Sequence, residues 1–183
     1  MNISAVCSVA LTIVLGVTCP ARADSAGEKQ MSTLAALIDL PLAKAKKRAG
    51  CKSWTSEGSG QFGTEYSCNE QRLSVRLSVG LSVHLSVDDK GRVFLASKPI
   101  RSSADHQQVA REKKALVSNL SKRCKEHRKR PQLLIFECTR GLAVIVLENW
   151  NSTVDKTELS MAVGRADTLF RLLGLGKSDG RSQ

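Results

Sequence analysis

The 183-residue chain predicts an α+β fold: two tandem helix-strand-strand-strand repeats whose strands form an antiparallel sheet, with one disulfide in each repeat. Three observations point there. Arg72 to Val87 writes the tetrapeptide x-Leu-Ser-Val four times, so every second residue is Leu or Val and one face is wholly apolar, as in a strand lying on a core. Segments with helical apolar spacing run into basic residues just before Cys51 and Cys124. Each of these cysteines is followed by a second, Cys68 or Cys138, two residues after an aromatic, Tyr66 or Phe136.

At the N-terminus, Ile3 to Val17 is apolar apart from Ser, Thr and Gly, and Ala21 and Ala23 supply the small residues of a cleavage site before Asp24. Residues 1–23 are therefore expected to be a secretory signal peptide. The apolar run is shorter than the ~20 residues of a spanning helix, and Thr18 does not suit a lipoprotein signal ending at Cys19. Loss of this leader removes Cys7 and Cys19 and leaves Cys51, Cys68, Cys124 and Cys138. An even set in an exported chain reads as disulfides, and the C-x-x-C spacing of a metal site is missing. Four cysteines allow three pairings. Laying one repeat on the other selects Cys51 with Cys68 and Cys124 with Cys138, each bridge restricting the unfolded chain by about 3 kcal/mol.

Residues 24–32 read as a linker, 33–98 as the first repeat, 99–165 as the second, and 166–183 as a short helix with a polar tail. Ser32 or Thr33 can cap a short apolar segment through Ile38. Asp39 with Pro41 then restarts a helix that stops at Gly50, its basic last turn suiting the negative end of the helix dipole. Strands are expected around Glu65 to Cys68, along the Leu-Ser-Val run, and from Arg92 to Ser97 after the Asp88-Asp89-Lys90-Gly91 turn. In the second repeat Ser103 or Asp105 can cap a helix to about Lys125 that buries Val109, Leu116, Val117 and Leu120. Strands follow at Ile135 to Cys138, in the Leu/Val segment beyond it, and from Lys156 to Val163 after a turn at Asn151-Ser152. Sixteen extended residues would span ~53 Å, so 72–87 must bend or reverse. A hairpin about Gly80 would set Arg76 opposite His84 and Arg72 opposite Asp88; a kink at Gly80 in one long strand is the alternative.

The formal charge is +11, and eleven Lys or Arg between Lys98 and Arg130 stand against only Asp105, Glu112 and Glu126. Such a field attracts anionic surfaces. Lys113, Lys114, Lys122, Arg123, Arg128, Lys129 and Arg130 are the candidate anion- or partner-binding residues, expected on one basic helix. Arg72, Arg76, His84, Trp54 and Trp150 are the candidate contacts on the sheet surface. His84, His106 and His127 stand neither four residues apart nor beside a nucleophile, so no catalytic residue, metal ligand or cofactor is expected. The basic stretch contains no aromatic residue, and nucleic acid is not the expected partner.

The run from Leu37 through Asp39, Pro41 and the basic Lys44 to Arg48 segment to Gly50 and Cys51, followed by two strands, Asp89-Lys90-Gly91-Arg92-Val93 and a third strand, resembles the helix-then-sheet unit of the secreted β-lactamase-inhibitory proteins. It is also similar to the small lipoprotein of the outer-membrane barrel-assembly machinery. The resemblance is one of pattern over Thr33 to Val163. It implies two units in tandem presenting a concave sheet to a partner enzyme, and no functional residue is carried over.

Together these readings lead to the expectation of an exported, periplasmic or secreted, non-enzymatic binding protein of inhibitor, immunity or adaptor type, acting through its sheet or its basic helix on a protein partner. A binder of anionic envelope polymers, an envelope-assembly factor, and a small hydrolase or toxin are the alternatives. The leader is directly testable: the exported protein should begin at Asp24 by intact-mass measurement, and a mass beginning at Met1, or at a lipidated Cys19, would overturn the assignment.

Overall fold

In the computed structural model, which describes residues 26–60, 63–70 and 81–175, the end of the Leu-Ser-Val run forms β3 (Leu81–Val87) with Leu85 and Val87 buried. Helices α1 (Ala26–Ala35) and α2 (Leu42–Ala49) precede β1 (Thr55–Gly60) and β2 (Gly63–Glu70); β4 (Val93–Ser103) follows β3. The second half comprises α3 (His106–Ser121), β5 (Lys125–Arg130), β6 (Leu133–Glu137), β7 (Leu142–Asn151), β8 (Lys156–Arg165) and α4 (Ala166–Leu172). All eight strands form one sheet in the order β1-β2-β3-β4-β8-β7-β6-β5, antiparallel throughout. The α+β class, the antiparallel sheet and both disulfides, Cys51–Cys68 and Cys124–Cys138, follow the sequence reading.

Each half contains four strands, one more than the sequence suggests. The additional strands are the two edges, Thr-Ser-Glu-Gly-Ser-Gly in β1 and Lys-Glu-His-Arg-Lys-Arg in β5. Neither has an apolar residue, so no alternation marks them. An edge strand needs ladder hydrogen bonds on one side only, and charge on its free side blocks pairing with another chain. The same fact corrects the end of α3, which stops at Ser121 while Lys125 already belongs to β5. The stretch from Lys98 to Arg130 is therefore strand, helix and strand, and no single basic helix exists.

The neighbours of His84 differ from those that the hairpin about Gly80 would give it. His84 lies opposite Ser67 of β2 and Ser97 of β4, so both edges of β3 are occupied and Arg76 cannot face it. Residues 71–80, with Arg72 and Arg76, lie outside the described residues. Two smaller differences occur at α1. It begins at Ala26, inside the stretch read as a linker, and Ser32 and Thr33 lie within it; Thr33 Oγ1 donates to the Lys29 carbonyl at 2.9 Å and caps nothing. The later ends match: Gly50 closes α2 in the left-handed conformation at φ 74°, and Asp105 caps α3 by accepting from Gln108 N at 3.0 Å.

One face of the sheet carries α1 and α3 across the β4–β8 junction. There Leu34, Leu37, Leu116 and Leu120 meet Leu85, Val93, Val144 and Met161 in the main core. The short α4 folds back onto the opposite face, where Leu169 and Ala166 form a second cluster with Phe94 and Ala143. Gly164 makes that return possible, because a Cβ there would stand 2.6 Å from the Phe94 carbonyl oxygen and 2.7 Å from Leu169 Cδ1. Gly164→Ala should destabilise the protein by about 1–3 kcal/mol through overpacking, read as a lower midpoint of urea unfolding; an unchanged midpoint would mean that α4 is not held this closely.

Candidate functional site

The basic residues are separated by the elements that carry them. Arg101 of β4 meets Glu112 of α3, with Nε 2.9 and 3.1 Å from the two carboxylate oxygens and Nη2 2.6 Å from Oε1. Hydrogen bonding to Glu112 raises the Arg101 pKa above its ordinary value. Lys113 donates to Glu148 of β7 at 2.6 Å and to the Pro131 carbonyl of the β5–β6 turn. Arg123 pairs with Glu28 of α1. Among the described residues Lys114, Lys122, Arg128 and Arg130 form no ion pair. Lys129 lies on β5. Burial pushes the Lys98 pKa below the ordinary lysine value. The expected cluster thus becomes two cations that tie elements together, the largely buried Lys113 and the exposed Arg123, and several dispersed surface cations.

The sheet surface is also rearranged. His84 does face away from α1 and α3, between Ser67 and Ser97. Trp54 does not: it packs against the main core, with Lys46 Nζ 5.7 Å from its ring centroid and 4.0 Å from that of Tyr66. Trp150 lies opposite Thr157 on the helix side, in alternation with Glu148, which reaches α3. It is 59% exposed, on the opposite face of the sheet from His84. The pair of tryptophans therefore forms no common patch with His84.

Following the register across the face opposite α1 and α3 gives one row: Ser67, His84, Ser97, Ala162, Ile145, Ile135 and Arg128, from β2 to β5. Ser67, His84 and Ser97 make its first half polar, and Ala162, Ile145 and Ile135 make the next part apolar before the row ends at Arg128. A trough of about 580 Å³ occupies this face, with Leu95, Leu133, Ile145, Leu147 and Ala162 on its floor and Leu169 and Leu173 as a wall. Glu65 and Glu158 stand on its rim, and Ser160 Oγ donates to Glu158 at 2.8 Å. The reason for an apolar floor is legible in β7: Leu142 to Leu147 is apolar at every position, so its outward residues are as apolar as its inward ones. The helix α4 covers only part of them. Leu147 is left 43% exposed.

A second cleft, of about 450 Å³, separates α3 from the β5–β6 hairpin and is lined by Ala110, Lys113, Lys114, Val117, Arg130 and Leu134 among others. Elsewhere, His106 Nδ1 and Thr157 Oγ1 share a hydrogen bond of 2.6 Å, with Asp155 3.7 Å from Nε2. Sequence alone did not place a hydroxyl beside this histidine, because 51 residues separate them. Thr157 is only 5% exposed and the carboxylate stands beyond hydrogen-bond length, so the contact ties the start of α3 to β8 without opening a hydroxyl to solvent. No group of three potential metal ligands occurs among the described residues, and no described helix is long and apolar enough to cross a membrane.

Comparison with protein-family models, curated protein sequences and solved structures finds no match to the chain. The residues themselves therefore carry the functional reading. The Lys113–Glu148 pair is the best anchored of them, with side chains 16% and 28% exposed. Glu148→Ala leaves a largely buried ammonium with one carbonyl partner and should destabilise the protein by about 1–3 kcal/mol. Chemical denaturation of the single and double alanine variants checks this, since adding Lys113→Ala should recover part of the loss; no recovery would mean the pair is not coupled.

Proposed function

We propose that the protein is an exported binding protein of inhibitor, immunity or adaptor type that holds an apolar-tipped loop of an acidic protein partner in the trough on the sheet face opposite α1 and α3. The observation that carries the reading is Leu147, 43% exposed beside Ile145 and Leu133 on a face that the short α4 covers only in part. An apolar floor with a polar rim is the composition of a protein interface core. Lys98 stands in the trough lining beside the rim carboxylates Glu65 and Glu158, and beyond the trough on the β5 side register sets Arg128 beside Ile135 on the same face, a cationic edge of the sheet. That edge and the net charge of +11 favour an acidic partner and speed its approach. Two disulfides in a chain with a leader-like N-terminus support export.

A photoreactive residue at Leu133 on the trough floor, exposed to the proteins of the exported compartment, should cross-link one acidic protein. Leu147→Asp should weaken binding of that partner by about 2 kcal/mol or more, the loss typical of a central interface residue, while Lys122→Ala leaves affinity nearly unchanged apart from a slower association at low salt. Affinity that Leu147→Asp does not alter would overturn the reading. An intact unfolding midpoint in Leu147→Asp confirms that the loss belongs to the surface.

A further inference from the structure

We propose that the cleft between α3 and the β5–β6 hairpin binds a single-chain anionic amphiphile, a long-chain carboxylate, with its tail on the apolar wall and its head group at Lys114 and Arg130. The cleft is separate from the trough, since Leu134 lines the first and Leu133, the next residue along β6, lines the second. Alternation along a strand sends these neighbours to opposite faces.

Its wall follows from helix geometry. Ala110, Lys113, Lys114 and Val117 recur at the three- and four-residue spacing that puts them on one stripe of α3. Opposite them stand Leu134 and Pro131. At about 450 Å³ the space between falls within the ~300–1,000 Å³ range of small-molecule sites. Lys113 holds the walls at this separation by bridging α3 to Glu148 of β7 and to the Pro131 carbonyl, and in doing so its charge is spent. Lys114 and Arg130 remain without an ion pair among the described residues. The cleft thus carries an excess of two positive charges beside Ala110, Val117 and Leu134. A small hydrophilic anion would leave that apolar wall wet, and a cationic or neutral chain would leave the two cations unanswered. An anionic head on a hydrocarbon tail satisfies both.

Amide chemical shifts of the folded protein should be followed during titration with dodecanoate below its micelle concentration, with acetate and dodecyltrimethylammonium as comparison titrants. Dodecanoate should give saturable one-to-one shifts at Ala110 and Val117. Its affinity should fall about tenfold in Lys114→Ala and further in the double variant with Arg130→Ala, the loss expected for a charge-assisted hydrogen bond. Both side chains are exposed, and Lys113 is left intact. Equal binding of the cationic chain or of acetate would overturn the proposal, as would unchanged affinity in the double variant. Shifts centred on Ile145 and Leu147 would overturn it too, by placing the ligand in the trough. Because Leu147→Asp leaves the cleft untouched, failure here and failure of the trough as a protein-binding face are separate results.

Discussion

The pairing of β4 with β8 is the contact on which the rest of the structure depends. It runs from Leu95 opposite Gly164 to Ser103 opposite Thr157, with a bulge between Pro99 and Arg101, and it is the junction that turns two four-stranded meanders into one sheet. The main core lies over it, because α1 and α3 both rest on β4 and β8. Polar contacts cross the same junction. Arg101 of β4 reaches Glu112 of α3, and Thr157 of β8 reaches His106 at the start of α3. At its far end Arg165 lies within 4.0 Å of carboxylate oxygens of Asp39, Asp88 and Asp167, so one guanidinium gathers the chain after α1, the β3–β4 turn and α4.

Only the outermost strands of the sheet lack apolar residues, and what secures them differs from what secures the rest. The middle strands are held by buried Leu, Val and Met. β1 and β5 bury no large apolar side chain and are held by their ladders and by what anchors their neighbourhood. Each disulfide lies at that weak flank, joining the end of a helix to the strand next to the edge: Cys51 after α2 to Cys68 of β2, and Cys124 after α3 to Cys138 after β6. The loops they close span 17 and 14 residues. Restriction of such loops in the unfolded chain contributes on the order of 3 kcal/mol each, which compensates flanks that hydrophobic burial does not reach. His127 on β5 adds a local contact, bonded to Glu137 at 2.6 Å with its ring 4.6 Å from that of Phe170 in α4.

The two cavities have different origins in this plan. The trough exists because β6 and β7 are apolar on both faces while only one face has long helices over it; α4, with seven residues, covers part of the remainder. The cleft lies between α3 and the β5–β6 hairpin, where Lys113 bridges the two sides. Basic residues that look like one patch along the chain serve separate purposes once folded. Arg101, Lys113 and Arg123 tie elements together, whereas Lys114, Lys122, Arg128 and Arg130 keep their charge for the surface.

Features decided by local chemistry were legible in the sequence alone: the helix stop at Gly50, the Asp105 cap, the turn at Asp88 to Gly91, the strand period of the Leu-Ser-Val run and the disulfide partners. Each depends on residues close together in the chain or on a pattern repeated along it. The Leu/Val segment beyond Cys138 was legible as a strand too, whereas its second apolar face took on meaning only once the sheet showed how little of it α4 covers. The tertiary structure alone decided the edge strands, the neighbours of His84, the core position of Trp54 and the division of the basic stretch among β4, α3 and β5. The physical reason is common to all of them. A polar edge strand is specified by the backbone of its neighbour, and the partner of an exposed cation is chosen by elements up to 95 residues away. Neither leaves a periodic or nearby signal in the residues concerned.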